Sequence, residues 1–221
     1  MIVYKHCPPQ VLKIHADLLL ALSVLFAKGG ENLHQTLGPL VRSYTAFSDY
    51  YKLEKLLLAK ETLGNCSKAD PDQYLLMTYE FNRLFVGPTT PEAPPYESIY
   101  LSSDHLMMGE QTLAVRKFYL QENLQAAGQG HEPDDFIATE LEFVAYLLSR
   151  IMDATAAKNN IQIQLYKDLY HEFWTQHLSL WLGLFAQRIR QSTHHLVFSA
   201  LSEVLDTLIT LNVIKHEGGP L

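Results

Sequence analysis

The sequence predicts an all-α protein, a single-chain bundle of roughly eight to ten helices. Three observations lead there. From Asp134 to Glu217 there is no proline and a single glycine, Gly183, whereas a sheet needs turn residues every few positions. Apolar residues in that stretch recur in steps of three and four: Ile137, Leu141, Val144, Leu148, Ile151; then Leu178, Trp181, Phe185, Ile189; then Val197, Leu201, Val204, Leu208, Leu211. Each set lies on one helix face. No alternating strand pattern persists beyond a few residues, and no internal repeat is visible.

The elements follow in order. Pro8-Pro9 opens a helix that is expected to stop at Gly29-Gly30. A second helix, from about Asp49 to Leu63, should end at Gly64. Asp70-Pro71 pairs an N-cap with proline at the first helical position, and the helix runs through Tyr74, Tyr79 and Phe81 to Phe85, before Gly87-Pro88. A helix from about Gln111 to Ala127 should end at Gly128. Between these lies the segment from Gly87 to Ser103, GPTTPEAPPYESIYLSS, where proline blocks helix and removes donors. It carries Tyr96, Ile99, Tyr100 and Leu101, too apolar for a free linker. It is therefore either a strap packed on the helices or one wall of a binding site. One domain over 1–221 is expected, with an N-terminal part of about 1–87, the strap at about 88–103 and a C-terminal part of about 104–221.

Composition narrows the function classes. Of 221 residues, 48% are hydrophobic and 19% charged, an ordinary globular balance. Seventeen basic residues against 24 acidic ones give −7, which disfavours nucleic acid as a partner. Cys7 and Cys66 form no CxxC pair and suggest neither a zinc-thiolate site nor a disulfide scaffold, so a reducing setting and dispensable thiols are expected. The longest apolar run, Leu18 to Ala27, is about half what a bilayer span needs. Asp17 precedes it and no small-residue cleavage site follows, so it reads as a buried helix rather than a signal peptide or a stable membrane insertion.

Familiar catalytic patterns are missing. Gly128-Gln129-Gly130 lacks the third glycine of a dinucleotide loop, and neither a phosphate loop nor a GxSxG elbow occurs. His171-Glu172 opens like a zinc-protease helix, but the next histidine, His177, is six residues on, towards the opposite helix face. His194-His195 read as surface or capping residues. Two features stand out. The stretch between Lys117 and Arg150 has no lysine or arginine but carries Glu122, Glu132, Asp134, Asp135, Glu140 and Glu142. These suit a helix N-terminus or a cationic partner whose guanidinium groups they would clamp; a metal site at His131, Asp134 and Asp135 is a third reading. Phe81, Leu84 and Phe85 share one helix face and His177, Trp181 and Phe185 another. Such stripes form either core or an apolar groove.

In their order along the chain, Phe81-Asn82-Arg83-Leu84-Phe85-Val86-Gly87-Pro88, Pro94-Pro95-Tyr96-Glu97-Ser98-Ile99-Tyr100-Leu101, Glu132-Pro133-Asp134-Asp135 and His177-Leu178-Ser179-Leu180-Trp181 resemble the TorD/DmsD family of redox-enzyme maturation chaperones. The resemblance runs from about Tyr79 to Phe185. It implies a non-enzymatic cytoplasmic chaperone whose partner is the precursor of a molybdoenzyme catalytic subunit, bound through its twin-arginine leader and held until cofactor is inserted. It implies peptide binding at Phe81, Leu84, Phe85, Pro94, Pro95, Tyr96, Tyr100, Gly109, Glu132, Pro133, Asp135, Phe136, His177 and Trp181, with no catalytic residue, metal or cofactor assigned. The family's usual histidine after Asp135 is here Phe136, so no role of that imidazole carries over. The physical reading agrees: a leader with two arginines and an apolar stretch needs acids beside an apolar groove. The alternatives are an assembly chaperone for a non-exported subunit of the nitrate-reductase type, a helical metal-dependent hydrolase using His131 and Asp135, and a small-ligand regulatory domain, which would need a DNA-reading module that the acidic balance does not offer. A monomer and a dimer that exchanges halves across the strap both fit.

Overall fold

A computed structural model describes residues 7–102, 107–127 and 132–214. Among these residues the elements are α1 (Pro9–Tyr51), α2 (Glu54–Cys66), α3 (Pro71–Phe85), α4 (Glu97–Leu101), α5 (Glu110–Gln121), α6 (Ile137–Ala156), α7 (Asn160–Gln176), α8 (Leu178–Ser192) and α9 (Leu196–Thr210). Extended pairing is slight, with an isolated antiparallel bridge between Tyr96 and Phe136. The all-α class is as expected.

Several helix boundaries differ from the expected ones. α1 does not stop at Gly29-Gly30 but continues to Tyr51, bending at Asn32 (φ −127°, ψ 34°) and passing through Pro39. The two glycines serve close packing instead. A Cβ on Gly29 would lie 2.6 Å from the Phe81 ring, and one on Gly30 would lie 2.8 Å from the Asn82 side chain, which donates to the Gly30 carbonyl at 3.3 Å. They let α3 press its Phe81 edge directly onto the α1 backbone. Gly29→Ala gains about 0.5–1 kcal/mol of helix propensity but displaces a ring fixed in the core, at a cost of roughly 1–3 kcal/mol. The variant should therefore melt lower than the wild type in a thermal scan. A higher melting point would mean that the Phe81 ring has room to move.

The second break falls at Lys52, in the left-handed region at φ 51°, and α2 runs on through Gly64 to Cys66. α3 begins as expected: the Asp70 carboxylate accepts from Gln73 N at 2.8 Å and the Gln73 side chain accepts from Asp70 N, a complete capping box. α5 ends at Gln121, earlier than expected, with Asn123 at φ 56° closing its last turn; Gly128 lies outside the described residues. The cysteines are both free.

One hydrophobic core draws on both parts of the chain. α1 packs along α6 and also against α2 and α3, α2 packs on α9, and α8 packs on α7 and α9. α1 has the length and hydropathy of a membrane-crossing helix, but most of its large apolar side chains, among them Leu12, Leu18, Leu22, Leu25, Leu37 and Phe47, are buried inside the bundle, while Leu20 and Val24 are exposed. The strap crosses this body. The amides of Glu92 and Ala93 donate to the carbonyls of Arg83 and Leu84 at 3.2 and 2.8 Å, and Arg188 Nε donates to the Glu92 carbonyl at 2.6 Å. Its last residues wind into α4, which packs on α8 and α5.

Candidate functional site

The strap and the segment 132–136 build the site together. Around the Tyr96–Phe136 bridge, Glu97 N donates to the Asp135 carbonyl at 3.1 Å and Ile137 N donates to the Pro95 carbonyl at 2.9 Å. Proline cannot donate, so Pro94 and Pro95 can take part in such a ladder only through their carbonyls. The two rings of the bridge, Tyr96 and Phe136, lie 5.5 Å apart. The Tyr96 hydroxyl donates to Glu132 Oε1 at 2.6 Å. Burial, followed by that bond, pushes the Tyr96 phenol well above its usual range.

Two cavities adjoin Phe136, the first of them lined by Tyr96 as well. The first, of about 370 Å³, is lined by Phe26, Phe85, Val86, Pro94, Pro95, Tyr96, Ile99, Met107, Glu132 and Phe136 among others. The second, of about 450 Å³, lies between α1, α6 and the chain after α5, with Tyr119, Glu132, Phe136, Glu142, Phe143 and Tyr146 in its wall. Ala27, Glu132 and Phe136 line both, so the two cavities adjoin across the Glu132–Phe136 segment on one grooved face. Its walls are mostly apolar, with hydroxyls, the Gln125 amide and the acids Glu132 and Glu142 as the polar groups. Cavities of this size with mostly apolar walls and a few fixed polar groups are typical ligand sites.

The structure therefore brings six of the expected site residues to one groove: Phe85, Pro94, Pro95, Tyr96, Glu132 and Phe136. The others stand elsewhere. Phe81 and Leu84 are fully buried in the core behind the groove, with the Phe81 ring 4.9 Å from Phe85. Asp135 is 0% exposed: Oδ2 accepts from Ser98 N at 2.8 Å and Oδ1 from the Thr112 hydroxyl at 2.7 Å. It pins the N-terminus of α4 and the first turn of α5 to the 132–136 segment. Pro133 is buried beside it. His177 and Trp181 lie under α4: His177 Nδ1 reaches the Glu97 carboxylate at 2.9 Å, and Tyr100 stacks on Trp181 at 5.5 Å. Gly109 is the N-cap of α5 and does not line the groove.

Three of the six acids of the acidic stretch, Asp134, Asp135 and Glu140, are internal. Asp134 is buried and bound by Arg116 at 2.6 Å, while its carbonyl accepts from the Tyr119 hydroxyl at 3.0 Å. Glu140 is buried under Trp181, whose Nε1 donates to Oε2 at 3.2 Å. Of the metal alternative, His131 lies outside the described residues; Asp134 and Asp135 are held as above, and no group of three metal-ligating side chains occurs among the described residues. Sequence reasoning missed Phe26, Ala27, Val86, Ile99 and Met107 as groove-lining residues, and Glu97 and Glu140 as a buried pair. Helical periodicity marks Phe26 as apolar but cannot say that it faces a cavity.

The arrangement is that of the all-helical maturation proteins. The fold matches a crystal structure of an Archaeoglobus fulgidus protein assigned as a redox enzyme maturation protein, with a TM-score of 0.55 over 88% of this chain and 93% of that one; at 17% identity the likeness is one of fold. The family model described as nitrate reductase delta subunit matches residues 48–187, and the chain belongs to this TorD-type family. Among curated relatives, a Vibrio cholerae chaperone protein TorD is 27% identical over 60% of this chain and 59% of its own length. A Salmonella paratyphi A Tat proofreading chaperone DmsD is 33% identical over 30% of this chain and 33% of its own. The alignment thus spans under two thirds of the length of either relative.

Proposed function

We propose that this chain is a cytoplasmic maturation chaperone that binds the twin-arginine leader, the apo form, or both, of a molybdenum-cofactor oxidoreductase subunit, and assists cofactor insertion before export. The observation that carries the reading is the convergence of Phe85, Pro94, Pro95, Tyr96, Glu132 and Phe136, from three separated stretches of sequence, on one groove. Apolar walls suit the apolar part of a leader, and Glu132 with Glu142 suits its arginines. The names of the relatives, a chaperone and a Tat proofreading chaperone, point the same way.

Phe81, Leu84, Tyr100, Asp135, His177 and Trp181 would then act from behind, fixing the strap and the groove floor. Phe136, where the family usually has histidine, adds apolar surface at the partition and no titrating group.

Val86 tests the groove with little risk to the fold, because it lines the cavity yet is 61% exposed. Losing the burial of one such side chain costs roughly 1.5 kcal/mol, about tenfold in affinity, and an added cation repels the leader's arginines. Val86→Arg should therefore bind a synthetic twin-arginine leader at least about tenfold more weakly in a calorimetric titration, with an unchanged melting temperature. Equal affinity in the two proteins would place the leader elsewhere. A second reading, assembly of a non-exported subunit, is favoured by the nitrate reductase description of the family. An N-terminal peptide without the arginine pair that bound equally tightly would select it.

A further inference from the structure

Beneath the strap lies a set of ionisable groups that the groove itself does not use. Glu97 on α4 is 1% exposed and Glu140 on α6 is 0% exposed, and their carboxyl groups face each other within hydrogen-bonding reach. His177, at the α7–α8 junction, holds Glu97 through Nδ1 at 2.9 and 3.0 Å. Trp181 on α8 satisfies Glu140 Oε2, but Glu140 Oε1 is buried with no donor among the described residues. The other groups acting on the pair are Asp135 in the 132–136 segment, itself held by Ser98 and Thr112, and Tyr119 on α5. Arg116 is engaged by Asp134.

Two facing carboxyl groups can share a hydrogen bond only if one of them keeps its proton. If both were ionised, two charges would face each other in a dry interior, with a third at Asp135, and such an arrangement is not sustained. Burial raises both Glu140 and Glu97 above the ordinary glutamate value, and at Glu97 the bond from His177 opposes that rise. Both Glu97 oxygens lie within reach of His177 Nδ1, whereas Glu140 has the single long bond from Trp181 and a bare Oε1, so the geometry puts the proton on Glu140 and the negative charge on Glu97.

We infer that this single shared proton latches α4, and with it the Pro94–Tyr96 wall of the groove, onto the body of the protein, and that Glu140 is a positioning residue for that wall. α4 has five residues and cannot hold itself as an isolated helix. What fixes it is Asp135 on Ser98 N, Tyr100 on Trp181, and the Glu97 carboxyl between His177 and Glu140. Removal of the proton turns the last of these from attraction to repulsion and loosens the wall.

The sign follows from linkage. Above the ordinary glutamate value of 4.5 the unfolded chain has released this proton while the folded protein keeps it, so folding takes up a proton. The stabilisation is complete below that pH and is lost as pH rises towards the folded-state value. Glu140→Gln mimics the protonated carboxyl, with an amide that can donate to Glu97. Relative to wild type, its unfolding equilibrium constant should fall by about tenfold for each pH unit above the ordinary value. His15, lowered to about 4 by burial, contributes an opposite slope, but it is common to both proteins and cancels in the comparison.

The decisive measurement is infrared spectroscopy of the wild-type protein at pH 7. A carboxylic-acid C=O band that disappears in Glu140→Gln is expected; its absence from the wild type overturns the inference even if the variant fails to fold. Hydrogen exchange of the α4 amides tests the latch. Glu140→Gln should exchange more slowly than wild type at pH 8, by a factor that shrinks towards pH 5. Equal exchange at every pH overturns it. The consequence for binding rests on the function proposed above. A leader that binds neither protein, with band and exchange as expected, sinks that function and leaves the latch standing.

Discussion

Leu84→Ala is expected to lower the unfolding free energy by about 3 kcal/mol, with a range of roughly 2–5 for a buried leucine truncated to alanine. For a chain of this size that is a fall of about 6–12 °C in melting temperature. Leu84 has no exposed surface and sits on the inner face of α3, next to Phe81 and Phe85, and its carbonyl accepts the Ala93 amide that docks the strap. The side chain is packing, and the groove begins one residue later at Phe85 and Val86. The folded fraction should therefore bind leader with affinity close to wild type. A stable Leu84→Ala protein that has lost leader affinity would move Leu84 from the core to the groove surface and require α3 to turn about its axis.

Asp135→Ala is expected to cost about 3–5 kcal/mol, because it strands two buried donors, Ser98 N and the Thr112 hydroxyl, each of which now meets a charged acceptor worth roughly 1.5–3 kcal/mol. Asp135→Asn should cost distinctly less. Its carbonyl oxygen can still accept from Ser98 N, and its NH₂ can donate to the Thr112 oxygen, whose hydroxyl is free to turn. Chemical denaturation of the two variants gives the ordering directly. Equal losses would mean that the charge rather than the hydrogen-bond pattern matters. If Asp135 instead clamped a leader arginine at the surface, Asp135→Ala would fold normally and its binding defect would shrink in high salt. A buried carboxylate predicts the opposite: a stability defect that salt does not repair.

These two residues show how far the sequence could be read. The stripe of Phe81, Leu84 and Phe85 is legible as one helix face, but a core face and a groove face have the same period. The structure divides them, two behind the groove and one in its wall. The acidic stretch is legible as unusual, yet its members have different surroundings. Glu132 lines the groove, Asp134 meets Arg116, Asp135 caps a helix, and Glu140 pairs with a carboxyl 43 positions earlier in the chain. Gly29-Gly30 looked like a helix stop, because glycine's usual effect is local. Here the tertiary contact with Phe81 and Asn82 overrides it.

The sequence by itself determined the helical class, the α3 cap at Asp70, the proline strap and the kinship with the TorD-type chaperones. All of these are written in local spacing or in short contiguous motifs. Only the tertiary structure decided that the strap pairs with residues 132–136, that Phe26 and Met107 join Phe85 and Phe136 in one groove, and that Glu97, Glu140 and His177 meet in the interior. The physical reason is that periodicity reports which face of a helix is apolar, whereas the neighbour of that face is chosen by how the helices, joined by connections of different length, bury their faces together.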